Sequence, residues 1–263
     1  MSTLAHDRLG DGPVAAVLLH GVGGGRAIWS DAVSGSTRAL AEAGFSAIAL
    51  DLPGYGDSPL PAELDMAVMA QAVAATIRSL GSHDAVLVGH SMGGMVAQEL
   101  VATQPGLVRG LVLACTSPAF GKPGGDWQRA FLRDRLSLLD AGLGMTALAA
   151  QLVPGMVAPG AEQATVERAS AVMARVPEAT YRAALAAIVG FDRRAHLEAI
   201  RVPTLCLAAE HDRTAPPAVL QGMAQRIPGA EYACVAQAGH VANAERPQAF
   251  NAALLGFLRR HFI

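Results

Sequence analysis

The hydrophobic pattern divides the chain into three stretches. From residue 14 to about 118, short apolar runs alternate with longer segments of helical periodicity. The runs are 14–19, 45–50, 85–88 and 107–114, rich in Val, Leu, Ile and Ala and without polar alternation. Such runs predict inner strands of a parallel sheet, covered on both faces. Segments 36–43 and 63–80 predict helices, and Gly44 and Gly81 follow them as stop signals. From 119 to 200 the alternation ceases. Segments 126–141, 144–153, 161–175 and 178–190 all predict helices, with Pro or Gly between most of them and no strand-like run. Alternation then resumes with a strand at 203–208, a helix at 217–226, a strand at 230–235 and a last helix at about 247–260.

Alternating strands and helices predict an α/β fold: an open, mostly parallel central sheet flanked by helices. Residues 1–118 and 201–263 form the expected core. Residues 119–200 form an expected all-helical cap, or lid, over the carboxyl end of the sheet. That is where ligands bind in open α/β sheets, and a cap there excludes water and shapes a pocket.

Composition narrows the function classes. Of 263 residues, 52% are apolar and 16% charged, with a formal net charge of −2, which argues against disorder, a nucleic-acid surface and a polybasic membrane patch. Residues 1–12 hold no apolar h-region, and no apolar run reaches the length of a membrane span. Cys115, Cys206 and Cys234 all lie in strand-like runs and are expected to be buried, reduced thiols. The expectation is a soluble cytoplasmic protein, a monomer or homodimer, acting on a small molecule, with no nucleic-acid or membrane partner.

One stretch carries the candidate chemistry. The apolar run 85–88 leads into Gly89-His90-Ser91-Met92-Gly93-Gly94, followed by a helical segment. A G-x-S-x-G sequence between a strand and a helix is the form of a nucleophile elbow, a sharp turn that lifts a serine hydroxyl above a sheet. That hydroxyl needs a base, and the base needs a carboxylate to hold its tautomer. Asp212 follows the strand 203–208, and His240 follows the strand 230–235. Glu210 is the rival acid, but Asp212 stands further past its strand end. His90 is expected to point away from Ser91, and His20 to pack or hydrogen-bond beneath the glycine-rich loop 21–25. That loop is no phosphate cradle, since it lacks a Gly-Lys-Ser/Thr ending.

Taken together, His20-Gly21, the turn from Asp51 to Ser58, the elbow at Ser91, Glu210-His211-Asp212 and Gly239-His240 resemble the α/β-hydrolase fold superfamily along essentially the whole chain. Within it the sequence is most similar to the 3-oxoadipate enol-lactonase-like serine esterases. The resemblance implies a Ser91–His240–Asp212 triad. It also implies an oxyanion hole made by the backbone N–H groups of Val22 and Met92, and no metal or organic cofactor. The implied activity is cleavage of a small carboxylic ester or lactone through an acyl-enzyme. Two alternatives stay open: carbon–carbon bond hydrolysis of a ring-cleavage diketone, and a ligand-binding signalling protein with slow turnover. Gly23, Trp127, Arg133, Val153, Met156 and Val241 are the candidate pocket residues. Enol-lactonase-like relatives bind a substrate carboxylate, a role that a cap arginine such as Arg133 could fill.

Overall fold

The computed structural model describes residues 3–121 and 125–263. The apolar runs become strands of a single sheet. These are β1 (His6–Leu9), β2 (Val14–Leu19), β3 (Phe45–Leu50), β4 (Ala85–His90), β5 (Val108–Ala114), β6 (Thr204–Ala209) and β7 (Glu231–Val235). They lie in the order β1-β3-β2-β4-β5-β6-β7. β1 runs antiparallel to β3, and every other neighbouring pair is parallel.

Every residue of β2, β3, β4 and β6 is buried, as continuous apolar runs require. Their side chains alternate between two cores. Val17, Leu19, Ile48, Leu50 and Leu87 face α2 (Met66–Ser79) and α3 (Met92–Thr103). Ala16, Leu18, Ala47, Val86 and Val88 face the opposite layer, where α1 (Ser36–Glu42) contributes Leu40 and the C-terminal helix Pro247–Phe262 contributes Phe250, Leu254 and Phe257.

The insertion is helical. It comprises α4 (Asp126–Asp140), α5 (Gly144–Leu152), α6 (Gln163–Ala174) and α7 (Glu178–Val189), each within two or three residues of the expected bounds. Leu148, Met173, Tyr181 and Leu185 from these helices join the core on the α2–α3 side of the sheet. The chain crosses out and back through a short clasp, in which Phe120 N–H donates to Phe191 O at 3.0 Å and Arg193 N–H to Pro118 O at 2.7 Å. The return therefore falls at 191–193, somewhat before residue 200. The intervening turn Arg194–Ala199 already belongs beside α8 (Pro217–Arg226), where the Arg226 guanidinium donates to Arg194 O.

Two features depart from the sequence expectation. β1 lies outside the apolar pattern: its sequence, HDRL, is largely exposed and carries no apolar run, so only backbone pairing to β3 makes it a strand. Cys234 is exposed, unlike the buried Cys115 and Cys206, because β7 is the far edge of the sheet and Cys234 sits on its open side. No helix among the described residues is long and apolar enough to cross a membrane.

Candidate active site

Three loops at the carboxyl ends of β4, β6 and β7 meet at one point. Ser91 follows β4 with φ 54° and ψ −118°, a backbone region costing on the order of 1–3 kcal/mol for a residue with a Cβ. The turn is held from both sides: Ser91 N–H donates to Ala114 O at 2.9 Å, and the Thr116 hydroxyl donates to Ser91 O at 2.7 Å. α3 starts at once with Met92 and runs tight against β2. A Cβ on Gly93 would lie 2.2 Å from Leu19 O, so only glycine permits this approach. The free N–H groups of the first helical turn are thereby brought beside the Ser91 hydroxyl.

His240 stands between β7 and the short helix α9 (Ala242–Glu245). Its Nε2 is 2.9 Å from Ser91 Oγ, and its Nδ1 is 2.8 Å from Asp212 Oδ2. The other Asp212 oxygen accepts the N–H groups of Thr214 at 2.8 Å and Ala215 at 2.9 Å. Burial by itself raises the Asp212 carboxyl pKa. The His240 charge, its hydrogen bond and the two N–H donors outweigh that effect and hold the pKa below its ordinary value. Asp212 is thus an acceptor-only carboxylate. The Nδ1 of His240 carries a proton, which leaves Nε2 free to accept from Ser91. The rival acid, Glu210, points to the exposed side and accepts Gln237 N–H at 2.8 Å.

The other two histidines named from the sequence are buried and neutral. His90 Nε2–H donates to His240 O at 2.6 Å; burial first, and the neighbouring His240 second, lower its pKa to about 4. His20 has a pKa of about 4, lowered chiefly by burial. Leu52 N–H donates to its Nε2 at 3.0 Å, so Nδ1 bears the proton and donates to Gly21 O at 2.8 Å. Gly24 N–H donates to the same oxygen at 2.9 Å. Gly21 O and Val22 N–H belong to one planar peptide, so two donors on the oxygen fix where the N–H points. The Tyr55 hydroxyl pins the next peptide by donating to Val22 O at 3.0 Å.

A cavity of about 360 Å³ opens above Ser91, between the sheet edge and the helical insertion. Val22, Gly23, Met92, Trp127, Met156 and His240 line it, together with Phe120, Phe131, Arg135, Tyr181 and Leu185. A second, smaller void of about 40 Å³ also borders Ser91 and His240, against Val153, Val172, Val241 and Ala244. Met156, Met173 and Gly23 border both. Five of the six expected pocket residues therefore face one cavity or the other.

Arg133 does not, and this corrects the sequence expectation. Its side chain is 72% exposed and lies 3.7 Å from Asp134. Arg135 takes the place expected of it. Trp127, Phe131 and Arg135 are spaced i, i+4, i+8 and share one face of α4, whereas Arg133, two residues from Phe131, projects from the opposite side. That spacing was visible in the sequence and would have selected Arg135. Its guanidinium lies 3.8 Å from the Phe131 ring centroid, and burial pulls its pKa below the ordinary value. It is the permanently charged group on the large cavity's wall among the described residues. No group of three or more His, Cys, Asp or Glu able to hold a metal occurs among the described residues.

A strained serine after a central strand, with imidazole and carboxylate in line beneath a helical roof, defines a hydrolase of the α/β class. Comparison with known proteins places the chain accordingly: the model of the Alpha/beta hydrolase family matches residues 16–253, and the protein belongs to that family. A Variovorax paradoxus protein named "Putative carbamate hydrolase RutD" is 34% identical over 252 residues, 94% of this chain and 92% of its own. A thermophilic esterase from Thermogutta terrifontis superimposes with a TM-score of 0.88 at 25% identity, over 99% of this chain and 94% of that one. The enol-lactonase from Burkholderia xenovorans does so with a TM-score of 0.84 at 26% identity, over 97% and 96%.

Proposed function

We propose that the protein is a serine hydrolase that cleaves a small, largely apolar carboxylic ester or lactone through an acyl-enzyme. The observation that carries this reading is the unbroken hydrogen-bond line Ser91–His240–Asp212 on the floor of a mostly apolar cavity. His240 Nε2 takes the Ser91 proton as Oγ attacks the carbonyl carbon. The oxyanion is received by the N–H groups of Val22 and Met92, each such donor being worth about 10²–10³ in rate. His240 then hands its proton to the departing alkoxide or enolate oxygen. A water deprotonated by His240 opens the acyl-enzyme, and Ser91 regains its proton. Asp212 stays ionised throughout and stabilises the imidazolium.

The two unequal cavities support an asymmetric substrate. The mostly apolar void of about 40 Å³ suits a substituent of one or two carbons, and the 360 Å³ cavity a larger apolar one. Arg135 would meet an acidic group at the far end of that larger part. The test is a panel of p-nitrophenyl and alkyl esters and acidic lactones, assayed with wild type and Ser91→Ala. Turnover that survives the serine substitution would remove the proposal. Carbamate cleavage is a second reading, favoured by the name of the Variovorax relative, and the same attack on a carbonyl would serve it. Aryl carbamates in the panel decide between the two. Hydrolysis of carbamates faster than of matched esters would select the second reading.

A further inference from the structure

The loop that carries His240 is joined to the helical cap, and the Glu245 side chain spans the joint. His240 N–H donates to Met156 O at 2.6 Å, a bond from the imidazole's own residue to the cap. The two backbones approach so closely that a Cβ on Gly239 would sit 2.4 Å from Met156 O. Glu245, on α9, closes this joint. One carboxylate oxygen accepts Gly239 N–H at 2.9 Å and the other accepts Ala158 N–H at 2.7 Å. Each oxygen thus holds one side: the histidine loop, and the cap segment that places Met156 between the two cavities.

We propose that Glu245 is a positioning residue for the reaction: it locks cap segment 156–158 onto residues 239–240, so that seating the cap and aligning the imidazole are one event. The geometry explains why a carboxylate stands here. Two N–H groups facing each other across a gap require a group that accepts on both ends and donates on neither. A glutamine accepts at one end only and sets an NH₂ against the remaining N–H. The strain falls on the His240 backbone, and displacements near 1 Å at a reacting group are worth about 10²-fold in rate.

The proposal rests on the serine-hydrolase reading, and the experiment separates the two. Glu245→Gln is compared with wild type on a short p-nitrophenyl ester, and the comparison is repeated in a His240→Ala background. The expected result is a fall in kcat of about tenfold or more with KM within about threefold, and no further loss when His240 is already absent. A kcat loss of less than about fivefold in the wild-type background overturns the proposal. So does a loss of equal factor in both backgrounds, because the effect would then not pass through the imidazole. Should Glu245→Gln fail to fold, Glu245→Asp, whose shorter stem reaches only one of the two N–H groups, is held to the same criteria. If Ser91→Ala and His240→Ala themselves leave hydrolysis intact, it is the serine-hydrolase reading that has failed.

Discussion

Asp212→Asn is the substitution whose outcome the geometry determines most tightly. The Asp212 oxygen facing Thr214 and Ala215 accepts two backbone N–H groups, at 2.8 and 2.9 Å, and can only be matched by the amide oxygen of asparagine. The amide nitrogen must then face His240 Nδ1, 2.8 Å from the present oxygen. A donor in that position forces Nδ1 to accept, so the imidazole proton moves to Nε2. The Nε2 nitrogen, 2.9 Å from Ser91 Oγ, then has no lone pair for the serine proton. The carboxylate charge that offsets the imidazolium is lost at the same time. Loss of both functions in a serine–histidine–carboxylate site lowers kcat by about 10⁴, or about 5.5 kcal/mol of transition-state stabilisation. The fold should survive, since volume and main-chain bonds are kept. The assay is kcat on a p-nitrophenyl ester, corrected for the folded fraction by circular dichroism, with Glu210→Gln as the matched control. The control should stay within about twofold, because the half-exposed Glu210 carboxylate accepts Gln237 N–H and lies 3.9 Å from the His211 ring, away from the Ser91–His240–Asp212 line. An Asp212→Asn enzyme retaining a tenth of wild-type kcat, or a control that falls as far, would refute the tautomer argument.

Three further outcomes are expected. His20 and His90 each have a folded pKa of about 4 against an ordinary 6.5, so between these values the unfolded chain binds more protons. Stability is therefore complete above about pH 6.5 and is lost as pH falls toward 4, by about 3 kcal/mol per histidine; urea titrations at pH 7, 6, 5 and 4 should record that slope, and a flat series would contradict it. His20→Ala removes the donor to Gly21 O and should lower kcat by about tenfold or more with little change in KM, as Val22 N–H loses its fixed direction; His20→Asn, whose amide can still reach Gly21 O, should recover part of the loss in the same assay. Arg135→Gln should raise KM for esters or lactones bearing a distal carboxylate by about tenfold and leave neutral esters within about twofold, and equal effects on both would remove the anion-binding role.

What the sequence showed and what it hid divide along one physical line. Ser91 was legible because strand, turn and helix are contiguous and each has a local pattern. Asp212 and His240 were legible because parallel strand ends converge, so a position just past a strand is already a place in space. The helical insertion was legible from periodicity alone. By contrast, β1 exists only through its pairing with β3, and four largely exposed residues offer no apolar period to detect. Charge alone does not separate Arg133 from Arg135; helical phase does, because only Arg135 shares the α4 face with Trp127 and Phe131.

Glu245 was hidden for a deeper reason. Its partners are main-chain N–H groups, one 6 residues away and the other 87, and every residue but proline owns such a donor. A side chain that accepts from backbone leaves no complementary residue type to search for. The elements of this fold can be read locally, but the joints between cap and core are built from backbone groups that all sequences share. The joint by which the cap sits on the histidine loop is therefore invisible to a search by residue type, however clear the elbow at Ser91 is. A search for what sets the substrate of this chain should begin at the cavity wall, on the α4 face that bears Trp127, Phe131 and Arg135.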